Sequence, residues 1–335
     1  MISFKKYHSI ENSYREKEVN KIIQNIPKDI QWVCTEKIHG TNFSFITDGK
    51  IIKTAKRSSI LSESDSFYDS NLMLEKYKQN VLEIFKILKN KNPNIQYIQI
   101  YTEHFGGYYD GKSLSKMIQK GVEYIPFTDV IVYDILLIYD DYDEFLNWDE
   151  LKEIVDKCNM KYVPEVFRGT FKECLNYTNQ YITKVPELYG LPQKENNICE
   201  GNVIKPVIDI RIGRLKERPI LKSKNEKFKE KRSVKRKNYT ENVTEEQRKW
   251  VDIIVSYFNR NRFDNVFSKG DLEKDWKYFG KISGFFFKDA YDDFIKDNPE
   301  FLNEDKKVQK FIKNLAQKQC NNFVREILKE VLNEN

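Results

Sequence analysis

The chain is poor in the residues that build metal cages and covalent cross-links. Its three histidines, His8, His39 and His104, are too dispersed to form a dedicated transition-metal site. Five cysteines (Cys34, Cys158, Cys174, Cys199, Cys320) are odd in number, scattered and without a C-x-x-C pair, which argues against a zinc site and a disulfide framework. No apolar run approaches the roughly 18 residues that span a bilayer, and Met1-Ile2-Ser3-Phe4-Lys5-Lys6 lacks the apolar core of a signal peptide. No internal repeat is found. The expectation is a soluble, intracellular, globular protein that keeps its thiols reduced and has no membrane partner.

The 335 residues are enough for two domains of ordinary size, and 40% hydrophobic residues with 14% aromatics can build cores. A net charge of +6 is mildly basic and compatible with a phosphate-bearing partner. Its distribution is uneven. From Lys222 to Lys237 nine of sixteen positions are Lys or Arg, opposed by Glu226 and Glu230 alone, a pattern that also suits a solvated linker.

Residues 30–34, 43–47 and 51–56 read as strands, the last two joined by Asp48-Gly49, a hairpin signal. Such a hairpin would carry Lys37 at one end and Arg57 at the other, and so bring both to one pocket. Met73, Tyr77, Val81, Ile84 and Leu88 recur at helical spacing over 70–90, and Asn92-Pro93 stops that helix. Residues 95–101 and 129–138 follow as strands, 149–159 and 171–183 as helices, and 198–206 as a strand. Thr244-Glu245-Glu246-Gln247 fits a capping box ahead of an apolar stripe, and a second stripe runs from Val308 to Val331. The boundaries expected are 1–233, a basic linker 234–243, and a helical domain 244–335.

The stretch Thr35-Glu36-Lys37-Ile38-His39-Gly40-Thr41-Asn42-Phe43 sets a lysine in a tight polar turn, where Gly40 implies φ > 0 or a close backbone approach. A lysine that attacks phosphorus must be deprotonated. Its free pKa of about 10.4 then demands a depression of roughly 3 units, about 4 kcal/mol, which neighbouring cations can supply. Lys222 and Lys224, two apart on a strand, face the same way and can flank one phosphate. Taken singly, each of these residues has an ordinary reading as a solvated turn or strand position.

Their order changes that. After the lysine turn come Ala55-Lys56-Arg57-Ser58, Tyr101-Thr102-Glu103-His104-Phe105-Gly106, Cys199-Glu200-Gly201-Asn202-Val203-Ile204-Lys205 and Ile220-Leu221-Lys222-Ser223-Lys224. This set resembles the covalent nucleotidyltransferases, and specifically the RNA ligase 2 family of phage nick-sealing and kinetoplastid editing ligases. In that family K-x-H-G-x-N replaces the K-x-D-G of DNA ligases and capping enzymes. Phe4-Lys5-Lys6-Tyr7 and Ile10-Glu11-Asn12 resemble the family's opening. The likeness covers about the first 230 residues, and the remainder agrees in size.

The resemblance implies an α+β fold: an ATP-grasp-like nucleotidyltransferase domain of antiparallel sheets with flanking helices, then a small all-α domain. It implies an ATP-dependent RNA ligase for RNA repair, acting at nicks in duplexes or on broken structured RNA, with ATP and Mg2+ or Mn2+; a monomer is expected. Lys37 would become adenylylated, with Glu36 beside the adenine, and Arg57 and Glu103 at the ribose or phosphate. Ile38, His39 and Asn42 belong to the same motif, and His39 and Asn42 would assist metal or RNA-end chemistry. Glu200 would bind the metal with Lys205 nearby, and Lys222 and Lys224 would contact the α-phosphate. The family stacks an aromatic on adenine, but the matching position, four before Asp134, is Val130, with Phe127 and Tyr133 as substitutes.

Two rival readings stand beside this one. A DNA ligase or capping guanylyltransferase shares the lysine logic but carries K-x-D-G and usually a β-barrel after the last motif. A non-catalytic RNA-binding protein would explain the basic run and twenty tyrosines, though not the ordered motifs.

Overall fold

The structure is a computed structural model, and it describes residues 2–62, 65, 67–213, 217–229, 243–269 and 273–333. The chain forms two compact units, Met1–Lys227 and Phe228–Asn335. Apart from Val243, the basic linker expected over 234–243 lies outside the described residues. Among the described residues, no helix is long and apolar enough to cross a membrane.

The first unit runs β1 (Glu11–Asn12), α1 (Glu16–Asn25), β2 (Trp32–Glu36), β3 (Thr41–Thr47), β4 (Ile52–Lys56), α2 (Ser70–Lys91), β5 (Tyr97–Gly106), β6 (Thr128–Ile138) and β7 (Asp143–Phe145). It continues with α3 (Trp148–Lys157), β8 (Glu165–Gly169), α4 (Phe171–Asn176), α5 (Val185–Leu188), β9 (Gly201–Pro206) and β10 (Leu221–Lys224). The strands build two sheets, β1-β10-β9-β2-β8 and β4-β3-β5-β6-β7. All their pairings are antiparallel except β1 with β10. The architecture is the mixed α+β one expected.

The expected hairpin exists, with Thr47 opposite Ile52 and Gly49 at φ +86° in its loop. Lys37, however, is not on it. The turn after β2 carries the chain from the first sheet into the second, so Lys37 sits where the sheets meet. The reading of 30–57 as one β unit missed this, because strand patterning fixes which residues alternate and not which strand each will pair with.

The helix over 70–91 buries Met73, Tyr77, Val81, Ile84, Phe85 and Leu88 and stops two residues before Pro93, with Asn92 as its C-cap. A tightly packed cluster of Trp32, Cys34, Ile204 and Leu221 with Ile22 and Cys174 joins the first sheet to α1 and α4. The helix expected over 171–183 ends at Asn176. Beyond it Asn202 Nδ2 donates to the Thr178 carbonyl, and Asn179 Nδ2 donates to Ser223 Oγ and the Lys224 carbonyl, both at 3.0 Å. These tertiary bonds override local helix preference.

The second unit contains α6 (Glu245–Val255), α7 (Arg260–Lys269), α8 (Phe279–Asp297) and α9 (Lys306–Asn333) around a core that includes Ile254, Phe286, Phe294 and Leu328. The Thr244–Gln247 capping box forms in both directions at 3.2 Å. Arg262 is buried and answered by Asp289 and by Asp293 at 2.9 Å, so its charge is paired inside the unit.

Candidate active site

Lys37 is fixed from both ends. Its backbone N–H donates to the Gly201 carbonyl at 2.8 Å, which ties the turn to β9, and its Nζ donates to Glu200 Oε2 at 2.8 Å. Lys224 Nζ lies 2.9 Å from the other oxygen, Glu200 Oε1, and His39 Nδ1 lies 3.4 Å from Oε2. Glu200 is 2% exposed. Burial alone would push its pKa up, but the Lys224 and Lys37 ammoniums outweigh that and hold it well below the ordinary carboxylate range.

Two glycines make this closeness possible. Gly40 passes against β5, where a Cβ would collide with the His104 carbonyl, so close approach is the reason for glycine in this turn. Gly201 has φ +142°, and a Cβ there would collide with the Ser223 carbonyl of β10. Lys224 pairs with Gly201 and Lys222 with Val203, so both lysines of β10 point from one face of the sheet.

The second sheet supplies the opposite side. Asn42 of β3 is opposite Glu103 of β5, which is opposite Ile131 of β6. Arg57 donates to Asn42 Oδ1 at 3.0 Å and Asn42 Nδ2 donates to Glu103 Oε2 at 3.0 Å, a chain that fixes all three side chains. Burial raises Glu103 to about 7 and the Glu200 charge adds to this, against the lowering effect of Lys37, Asn42 and Arg57. Glu36, also at about 7, is raised by burial more than its bonds from the Thr183 hydroxyl and the Lys184 N–H (2.8 Å) lower it. Thus the geometry brings together Lys37, His39, Asn42, Arg57, Glu103, Glu200 and Lys224.

Three expected residues lie elsewhere. Val130 pairs with His104, on the face of the sheet opposite Glu103, and is fully buried, so the strand's alternation turns it away from the cluster. Phe127 lies outside the strand against Tyr189, 6.0 Å between ring centroids, with Lys76 5.8 Å from its own. Lys205 directs its Nζ to the Tyr133 carbonyl at 2.6 Å and to Asp134 at 3.2 Å, over the Trp148 ring at 4.2 Å, and not to Glu200. Its burial lowers its pKa to about 8 against the pull of Asp134. Tyr133, the extra residue of the bulge between Val132 and Asp134, stacks with Tyr101 at 6.2 Å between ring centroids and is within electrostatic reach of Glu103 and Arg57.

Sequence reasoning missed Thr183, Lys184 and Tyr124, whose hydroxyl accepts the His39 backbone N–H at 2.9 Å. All three lie between motifs, and no local spacing links them to the lysine turn.

Lys37 of the turn and Lys224 of the strand thus clamp one buried carboxylate, Glu200, between them. Comparison with known proteins gives this site a family. The model of the RNA ligase family matches residues 30–224, and one described as the T4 RNA ligase 2 C-terminal domain matches residues 240–322. The chain belongs to the RNA ligase family, on the RNA ligase 2 side that its motif order implied. It is 23% identical over 355 residues to the mitochondrial RNA-editing ligase 2 of Trypanosoma brucei brucei, covering 90% of this chain and 85% of that one. It is 27% identical over 210 residues to the mitochondrial RNA-editing ligase 1 of the same organism, covering 53% of this chain and 45% of that one. A solved mutant of the Naegleria gruberi RNA ligase with ATP and Mn matches with a TM-score of 0.45 and 16% identity, over 67% of this chain. The chain spans 57% of that ligase and less than half of editing ligase 1.

Proposed function

We propose that this RNA ligase is ATP-dependent and joins RNA 3′-hydroxyl and 5′-phosphate ends, at nicks in duplexes, through a lysyl-AMP formed on Lys37. The observation that carries the reading is the contact of Lys37 Nζ with a buried, ionised Glu200 that Lys224 also holds. The backbone N–H bond to the Gly201 carbonyl fixes the turn, and the Glu200 contact holds the Lys37 ammonium beside Lys224 in the resting site, which is the positioning a nucleophile requires.

The Lys37 amine, having lost its proton to solvent, forms a P–N bond to the α-phosphorus as the α–β anhydride breaks and pyrophosphate leaves. A 5′-phosphate oxygen of RNA then displaces the amine and takes the AMP. Finally the 3′-hydroxyl attacks the 5′-phosphorus, loses its proton, and releases AMP. Lys222 and Lys224 meet the negative charge that accumulates on phosphate in each transfer. Arg57, Asn42 and Glu103 hold the nucleoside, Glu36 and Ile38 flank the base, and Tyr133 is the stacking ring in place of Val130.

The donor set suits magnesium or manganese bound mainly through phosphate and water. Among the described residues no three His, Cys, Asp or Glu side chains converge, and the carboxylates near Lys37 are Glu200 and Glu103. Glu200 would hold the ion, which supplies positive charge to the phosphates when bound. The helical unit from about residue 244 is assigned to RNA engagement.

Sealing of a nicked duplex whose 3′-hydroxyl strand ends in RNA or in DNA tests the substrate class. Faster sealing of the RNA end is expected, and equal or faster sealing of the DNA end overturns the RNA assignment.

A further inference from the structure

The stretch between β5 and β6 carries none of the motifs, yet it inserts a tyrosine beneath the lysine turn. Tyr124 is 1% exposed. Its ring stands edge-on to Phe105 at 5.3 Å, and its hydroxyl accepts the His39 backbone N–H at 2.9 Å within electrostatic reach of the Glu36 and Glu200 carboxylates.

Tyr124 is held firmly because its neighbour Glu123 is clasped by Asn197. The Glu123 N–H donates to Asn197 Oδ1 at 3.0 Å, and Asn197 Nδ2 donates back to the Glu123 carbonyl at 2.6 Å. The Glu123 carboxylate takes Lys194 Nζ at 2.6 Å and the Asp110 N–H at 2.9 Å. Asn197 has a second attachment: its carbonyl accepts the Thr183 N–H at 3.0 Å, and the Thr183 hydroxyl donates to Glu36. One asparagine therefore anchors both flanks of Lys37, Glu36 on one side and His39 on the other.

We propose that Tyr124 is a positioning residue for the lysine turn and acts through His39. Its hydroxyl fixes the His39 backbone so that the imidazole reaches Glu200, and Glu200 aligns Lys37 with Lys224. A buried hydroxyl already in place needs no rearrangement during the reaction, whereas water in its stead would let the turn fluctuate. The proposal rests on Lys37 as the nucleophile, and its test separates the two ideas.

The perturbation is Tyr124→Phe in the full chain, which keeps the ring and deletes the acceptor. Hydrogen exchange at the amides of residues 35–43 should accelerate at least tenfold. Single-turnover transfer of labelled AMP to the protein at saturating ATP should slow at least tenfold, with KM for ATP within twofold. In a His39→Ala background the same substitution should change the rate less than twofold. Unchanged exchange, a wild-type transfer rate, or an equal loss in both backgrounds overturns the proposal. If Tyr124→Phe melts in the assay range, Asn197→Asp takes its place. It removes the donor to Glu123 and should give the same pattern, and wild-type behaviour there overturns the proposal equally. If the wild-type protein takes no AMP, the nucleophile reading fails, and the exchange measurement still decides whether Tyr124 fixes the turn.

Discussion

Replacing Glu200 with glutamine removes one charge and almost no volume. In the native site its carboxylate has ammoniums at 2.8 and 2.9 Å and is 2% exposed. At an effective dielectric of 20 each attraction amounts to roughly 6 kcal/mol before desolvation is subtracted. Glutamine leaves Lys37 and Lys224 facing one another without a counter-charge, and stranding a buried charge in this way costs about 3 kcal/mol or more. For a unit of this size that is a fall in thermal midpoint on the order of 10 °C. The catalytic effect is separate. Loss of one preorganised charge in a phosphoryl-transfer site lowers rates by about 10²–10³, or 3–4 kcal/mol. The assay is quench-flow formation of the AMP adduct with excess ATP and magnesium, at a temperature where melting curves show the variant folded. A variant that is destabilised but adenylylates within threefold of wild type would refute the reasoning, because Glu200 would then serve the fold alone.

Three further outcomes are expected. Gly201→Ala puts a Cβ into the Ser223 carbonyl at a φ of +142°, so it should cost about 2 kcal/mol or more and disable adenylylation; a well-folded, active variant would show that β9 and β10 can separate harmlessly. Glu36 titrates near 7 when folded, against about 4.3 unfolded, so the folded state binds the extra proton and stability falls as pH rises from about 4.5 to 7, by about 3 kcal/mol; Glu36→Gln should flatten that fall in melting curves between pH 5 and 8, and an unchanged slope would refute the assignment. Residues 1–243 alone should still take AMP, yet seal a 5′-phosphate nick far more slowly than the full chain; equal sealing would remove the helical unit from RNA engagement.

How much of this was legible depended on distance along the chain. Lys37, Glu103, Glu200 and Lys224 stood out because each lies in a short string whose order carries meaning. The β3–β4 hairpin and α2 were readable from Asp48-Gly49 and from a four-residue apolar period. Partner choice was not readable. Nothing local says that Trp32–Glu36 pairs with β8 and β9 while Thr41–Thr47 pairs with β4 and β5, so the crossing of Lys37 between sheets stayed hidden. Val130 was placed at the base by counting back from Asp134, but the pleat that pairs it with His104 turns it to the other face. Lys205 shares a motif with Glu200, five residues on, yet a buried Asp134 claims it. Thr183 and Tyr124 reach the lysine turn from 147 and 85 residues away, a separation that no periodicity can span.

The most direct measurement is the intact mass and peptide map of the purified protein after incubation with ATP and magnesium. One adenylyl group should be found on Lys37, and none on the Lys37→Arg variant, since a guanidinium does not deprotonate in a protein. An adduct that persists in the variant, or that maps in the wild type to Lys222, Lys224 or any other residue, would contradict the assignment of Lys37 as the nucleophile.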